Sequence, residues 1–123
     1  GDYATIEADG RINLLGRGSM CINTAGEKVF PEEVEEVVKR HAGADDCLVV
    51  GMPDERFGEK IVAVVSTNDH DLDEAGLIDH CREFLAGFKL PKQIIFVDLV
   101  QRAANGKADY QWAKQTAEAS LIA

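Results

Sequence analysis

Two apolar runs separated by a short polar stretch do most to limit what this chain can become: Cys47-Leu48-Val49-Val50 and Ile61-Val62-Ala63-Val64-Val65. The second is too apolar for an exposed edge and short enough to be a strand. It is expected to pair with the strand that carries the first run, Asp46 to Met52, with Pro53-Asp54-Glu55 as the intervening turn. Gln93 to Val97 reads as a third strand of the same small sheet. What remains must cover that sheet.

The cover is legible as helices. Pro31 suits a first helical position, where its missing N–H costs nothing, and Val34, Val37, Val38 and His41 recur at helical spacing. Glu32 and Glu33 then lie at the positive end of the helix dipole, Lys39 and Arg40 at the negative end. Ala42-Gly43-Ala44 closes this element. Asp71 or Asp73 caps a second helix through Leu85, whose apolar face is Leu77, Ile78, Cys81, Phe84 and Leu85, with Gly87 in the stop position. A third helix is expected from Ala108 to about Ser120, after the polar loop Asn105-Gly106-Lys107.

Ahead of these, Tyr3 to Ile6 and Arg11 to Leu15 flank Glu7-Ala8-Asp9-Gly10, an Asp-Gly turn between alternating apolar residues that signals a hairpin. Gly16 to Ser19 is a joint where φ and ψ can change at little cost, followed by a short apolar strand and a small-residue loop at Thr24 to Gly26. The order βββαββαβα predicts an α+β fold, divided into a hairpin at 1–16 and a domain at 17–123. No internal repeat or low-complexity segment interrupts it.

Composition narrows the function classes. The 123 residues amount to about one domain, able to bury roughly two-thirds of its unfolded surface. A net charge of −9 opposes any surface that tracks a phosphate backbone, although a few local cations still suit one small phosphorylated ligand. The 3 cysteines are widely separated within apolar runs, which suggests buried thiols in a reducing cytosol rather than a disulfide framework or a metal knuckle. No apolar run nears the ~20 residues of a membrane span, and no signal peptide is visible. A chain that starts Gly-Asp rather than with Met reads as a domain excised from something longer, and a processed or tag-derived terminus looks the same.

Six short motifs then point one way: Gly1-Asp2; Gly16-Arg17; Thr24-Ala25-Gly26-Glu27 with Phe30-Pro31-Glu32-Glu33-Val34-Glu35; Gly51-Met52-Pro53-Asp54-Glu55-Arg56-Phe57-Gly58; Phe88-Lys89-Leu90-Pro91-Lys92; and Asn105-Gly106-Lys107. In this order and spacing the chain resembles the small C-terminal lid domain of the adenylate-forming enzymes, the superfamily of acyl-CoA synthetases, nonribosomal-peptide adenylation domains and luciferases. The resemblance implies a two-step ligase whose larger N-terminal adenylation domain belongs to the same polypeptide. A carboxylate attacks the α-phosphate of ATP to give acyl-AMP and pyrophosphate, then a thiol displaces AMP, and the small domain rotates between the steps.

Carried onto this sequence, the resemblance makes Lys107 the catalytic cation of the first step, its ammonium bridging the substrate carboxylate and the α-phosphate. Asp2 would accept the ribose hydroxyls and Arg17 would lie near the same ribose and phosphate. The hinge falls on Gly18 and Ser19, where a neutral hydroxyl stands in place of the usual Asp or Lys. Thr24, Ala25 and Gly26 would line the pantetheine tunnel of CoA, Phe57 would stack on its adenine, and Phe88 and Lys92 would lie near its nucleotide end. ATP arrives with Mg²⁺ held mainly by the larger domain, and no metal site is expected in this chain.

Other residues read as structural. His41, His70 and His80 are placed at a helix end, in a loop and beside Cys81, and Glu32, Glu33, Glu35 and Glu36 read as one solvated acidic face. The Asn23 to Pro31 and Gly106 to Tyr110 runs favour the actinobacterial fatty-acid–CoA ligases, including those acting on steroid side chains, in the cytoplasm. Alternatives are a ligase that loads a carrier protein and a stand-alone, non-catalytic interaction domain of similar fold. The isolated 123 residues are expected to fold but to be inactive.

Overall fold

The structure, a computed structural model, describes the backbone at residues 6–8, 10–11 and 21–122 and side chains from Cys21 to Ser120. Near the start, β1 (Ile6–Ala8) pairs antiparallel with β2 (Gly10–Arg11), Ile6 opposite Arg11 and Glu7 opposite Gly10. The antiparallel pairing is that of the expected hairpin, with Glu7, Ala8 and Gly10 in its strands rather than in its turn, and Asp9 lies outside the described residues. The outer parts of that hairpin, and the boundary drawn at residues 16 and 17, lie outside the described residues.

The main sheet is built on a long antiparallel hairpin, β5 (Asp46–Asp54) and β6 (Gly58–Ser66), running from the Asp46–Ser66 pair to the Asp54–Gly58 pair. Its strands carry the two apolar runs and bury them on both faces. Cys47 and Val49 pack with Ile61, Ala63 and Val65 into one core, while Leu48, Val50 and Met52 pack with Val62 and Val64 into the other. A strand wetted on one face would alternate polar and apolar residues; these two do not, because helices cover both sides.

The first core is closed by α1 (Pro31–Lys39) and α2 (Glu74–Arg82), the second by α3 (Tyr110–Ile122) through Ala113 and Ala117. Pro31 opens α1 as expected, and the Phe30 amide donates to Glu33 Oε2 at 3.1 Å to satisfy a helix-start donor. Of the two possible caps of α2, Asp73 serves, its Oδ1 accepting from the Gly76 amide at 2.8 Å. Gly87 does not stop this helix. It opens a 3-10 turn, Gly87–Lys89, that leads into β7 (Gln93–Val97). Because β7 runs parallel to β6, it needs the helical crossover that α2 provides.

The expected three-stranded sheet has five strands, in the order β4-β3-β6-β5 with β7 also on β6. The added pair comes from the segment read as a strand and a loop. There β3 (Ile22–Thr24) and β4 (Glu27–Val29) form a hairpin, and its two turn residues, Ala25 and Gly26, both have positive φ, 53° and 81°. That combination suits the turn that best matches strand twist. Thr24 then pairs with Gly58, tying the small hairpin to the end of the large one. Gly51 allows the close approach, since a Cβ there would stand 2.9 Å from Ile22 Cγ2.

Cys47 and Cys81 are buried as expected and Cys21 is half-buried. Burial raises the Cys47 thiol well above its ordinary value and pushes Cys81 up to about 11, so both stay protonated and unreactive. Glu35 departs from the solvated face assigned to it: it is only 7% exposed. Its Oε2 accepts from the Val49 amide at 3.0 Å and from the Tyr110 hydroxyl at 2.8 Å, joining α1, β5 and α3. Periodicity places Glu35 beside Val34, but only the arrival of α3 covers it.

Candidate functional site

At the Asp46 end of the long hairpin, a short loop presents Lys107. Arg102 and Ala108 form an antiparallel bridge that closes it. Inside, the Ala103 amide donates to the Lys107 carbonyl at 2.9 Å, the Gly106 amide to the Ala103 carbonyl at 2.8 Å, and the Lys107 amide to Asn105 Oδ1 at 3.0 Å. Gly106 has φ +84° with open space where a Cβ would go, so conformation rather than crowding calls for glycine. The Lys107 side chain is exposed, and its ammonium has no salt-bridge partner among the described residues. The backbone is held and the side chain is exposed, which makes Lys107 a presented cation.

The loop is anchored by two side-chain contacts that motif reading missed. Arg102 Nε donates to Asp46 Oδ2 at 2.8 Å and Nη2 to Asp46 Oδ1 at 2.7 Å, a bidentate pair. The Arg102 guanidinium holds the Asp46 carboxyl below the usual carboxylate range, against a smaller opposing effect of burial. Beyond Lys107, Asp109 Oδ1 accepts from the Trp112 amide at 3.0 Å to start α3, and Tyr110 hydrogen-bonds Glu35. Burial raises the Glu35 carboxyl despite its two donors, and burial together with the neighbouring carboxylate raises the Tyr110 hydroxyl. The signal for Asp46 and Arg102 was a charged residue at each margin of an ordered segment. Nothing local paired them.

At the Asp54 end a different surface forms. The Ala25 amide donates to the Phe57 carbonyl at 2.8 Å, which places the β3–β4 turn against the β5–β6 turn. Asp54 Oδ2 accepts from the amides of Arg56 and Phe57 at 3.0 and 2.9 Å, setting the turn that carries the ring. The Lys92 ammonium lies 4.8 Å from the Phe57 ring centroid, and the Arg56 guanidinium 6.0 Å from it. Ala25 and Gly26 are exposed while Thr24, 3% exposed, is buried beneath them in the sheet. Phe88, 39% exposed, sits in the 3-10 turn with the Lys89 ammonium 5.7 Å from its ring, and Lys89 pairs with Glu33 at 2.8 Å.

The structure therefore brings Ala25, Phe57 and Lys92 together and sets Lys107 elsewhere. From Asp46 to Asp54, β5 advances by eight residues, which at strand rise is about 26 Å. Asp2, Arg17, Gly18 and Ser19 lie outside the described residues. Among the described residues, no three His, Cys, Asp or Glu side chains converge where a metal ion could sit. No described helix is long and apolar enough to cross a membrane.

Residues 33–107 match the family described as the AMP-binding enzyme C-terminal domain. The chain belongs to that family. Over 117 residues, 93% of its length, this AMP-binding C-terminal domain is 53% identical to a 3-oxocholest-4-en-26-oate–CoA ligase from Rhodococcus rhodochrous, of which it covers 21%. It is 48% identical over 97% of its length to a medium/long-chain-fatty-acid–CoA/3-oxocholest-4-en-26-oate–CoA ligase from Mycobacterium marinum, covering 22% of that protein. The domain thus spans about a fifth of the length of these curated relatives. Its fold matches that of a fatty acyl CoA synthetase from Mycobacterium tuberculosis with a TM-score of 0.77 at 32% identity, over 81% of this chain and 20% of that one. The resemblance read from the motifs holds at the level of the family and of its fold.

Proposed function

We propose that this domain is the lid of an AMP-forming acyl-CoA ligase that activates a fatty or steroid-side-chain acid in the cytoplasm. A larger N-terminal domain of the same polypeptide would bind ATP with Mg²⁺ and the acid. In the first step a carboxylate oxygen of the acid bonds to the α-phosphorus and pyrophosphate leaves. In the second the CoA sulfur bonds to the acyl carbon and AMP leaves. Lys107 would serve the first step as a positioned cation, offsetting charge on the carboxylate and the α-phosphate. Ala25, Gly26, Phe57, Lys92 and Phe88 would serve the second, the ring of Phe57 taking the adenine of CoA and Lys92 a phosphate.

One observation carries this reading: the loop that presents an exposed cation and the ring-and-cation surface lie at opposite ends of one strand about 26 Å long. Two such surfaces cannot face one acyl carbon together. A domain built this way has to turn between steps to use both.

The test is a pair of half-reactions with the intact ligase. Lys107→Ala is expected to slow pyrophosphate release from acid and ATP by about 10²–10³-fold and to leave thioester formation from supplied acyl-AMP unchanged. Phe57→Ala is expected to do the converse, raising KM for CoA alone. Equal losses in both half-reactions for either variant would refute the division of labour. The acid itself is read by running the same assay across fatty acids and steroid side-chain acids.

A further inference from the structure

Lys107 can act only if its ammonium arrives at a defined point, and its aim is set by the peptide plane that precedes it. The carbonyl of that Gly106–Lys107 peptide accepts a hydrogen bond from Arg102 Nη1 at 3.3 Å. The same guanidinium places Nε and Nη2 on Asp46, the first residue of β5. One edge of the fork grips the sheet and the remaining nitrogen grips the lysine's own peptide.

The other hydrogen bonds around Lys107, from Ala103 and to Asn105, are internal to the loop. They give the loop its shape, but a loop held only by itself can still tilt as a unit. Arg102 relates that shape to the body of the domain. Roughly ten degrees of tilt moves an ammonium on a long stem by about 1 Å, a displacement that can cost on the order of 10²-fold in rate.

We propose that Arg102, seated on Asp46, is the positioning residue for Lys107 and thereby sets the rate of adenylate formation. This rests on the assignment of Lys107 to that step. The role needs arginine, because a planar fork reaches a carboxylate and a carbonyl at once and a lysine ammonium is a single point of charge. It also needs the aspartate, which holds the fork in plane. Asp46 has a further cation, Lys39, 4.0 Å away, which leaves the bidentate geometry to Arg102.

In the intact ligase, Arg102→Lys is expected to lower kcat for pyrophosphate release on the order of 10–100-fold, with KM for ATP and acid unchanged and thioester formation from acyl-AMP at the parent rate. Asp46→Asn follows the same pattern with a smaller loss, and Asp46→Glu restores part of it. Should Arg102→Lys fail to fold, Asp46→Asn and Asn105→Ala carry the comparison: the first falls in adenylation only, and the second by no more than the first. A merely structural salt bridge would lower both half-reactions together, and that result overturns the proposal. So does a parent rate of adenylation in Arg102→Lys while Lys107→Ala is inactive. If Lys107→Ala itself keeps the parent rate, the assignment of Lys107 fails and the positioning role falls with it.

Discussion

The two ends of the β5–β6 hairpin hold their exposed groups by different means. At the Asp54 end, Ala25, Gly26 and Gly58 take left-handed φ values of 53°, 81° and 84°, the Ala25 amide ties one turn to the Phe57 carbonyl of the other, and the Asp54 side chain caps the turn through the Arg56 and Phe57 amides. At the Asp46 end only Gly106 is left-handed, and ionised or buried side chains do the rest: Arg102 on Asp46, Tyr110 on Glu35. A surface for a flexible thiol arm and a planar base needs shape, which backbone supplies. A cation that must reach one atom needs aim, which takes groups anchored in the sheet.

If that contrast is right, perturbations should separate by kind. The largest expected effect on stability is Glu35→Ala, which strands the Val49 amide and the Tyr110 hydroxyl; unfolding in urea should show a loss of about 2–4 kcal/mol. Gly58→Val comes next at the opposite end, because a branched side chain is forced to φ +84°. A loss of about 1–2 kcal/mol, independent of pH, is expected by the same measurement. No loss in the urea midpoint would show that this turn tolerates a branched side chain.

The Asp46 end should respond to pH instead. Asp46 has its folded pKa lowered, so its contribution is present above its unfolded value and is lost as pH falls through the folded one. The stability gap between the parent chain and Asp46→Asn, about 1 kcal/mol near neutrality, should therefore close under acid. Glu35 has the opposite sign. Its folded pKa is raised, so stability is highest below the unfolded value and declines as pH rises through the folded one. Glu35→Gln should remove that decline. A parallel pH profile for Glu35→Gln and the parent chain would contradict the burial of this carboxylate.

The smallest effect is a gain. Ala25 holds φ 53° without being a glycine. Relieving that conformation by Ala25→Gly, less the extra freedom of the unfolded chain, should raise stability by about 0.5–1 kcal/mol. No gain in the urea midpoint would show that the turn is unstrained.

Much of the fold was legible because it is local. The runs at Cys47 and Ile61, the Pro31 start and the Asp73 cap each state their structure within a few residues. The β3–β4 hairpin was misread as strand and loop because Thr24-Ala25-Gly26 lacks the Asn-Gly or Asp-Gly pair that announces such turns. Glu35 was misread because four glutamates in one helix start look alike until something packs on one of them. Of the candidate site, Lys107 and Phe57 came from motifs, whereas Arg102 and Asp46 belong to no motif and had no neighbour in the chain to point to them.

The amino-acid order alone determined where chain direction changes, which segments are too apolar to stay wet, and which family the motifs spell. Only the tertiary structure decided that Asp46 meets Arg102 across 56 residues, that Glu35 meets Tyr110 across 75, and that Lys92 lies over Phe57. Turns and helix starts are settled by steric and hydrogen-bonding preferences within a few bonds. Partners for a charge are settled by which surfaces the burial of two apolar strands brings together, and no short stretch of chain contains that information.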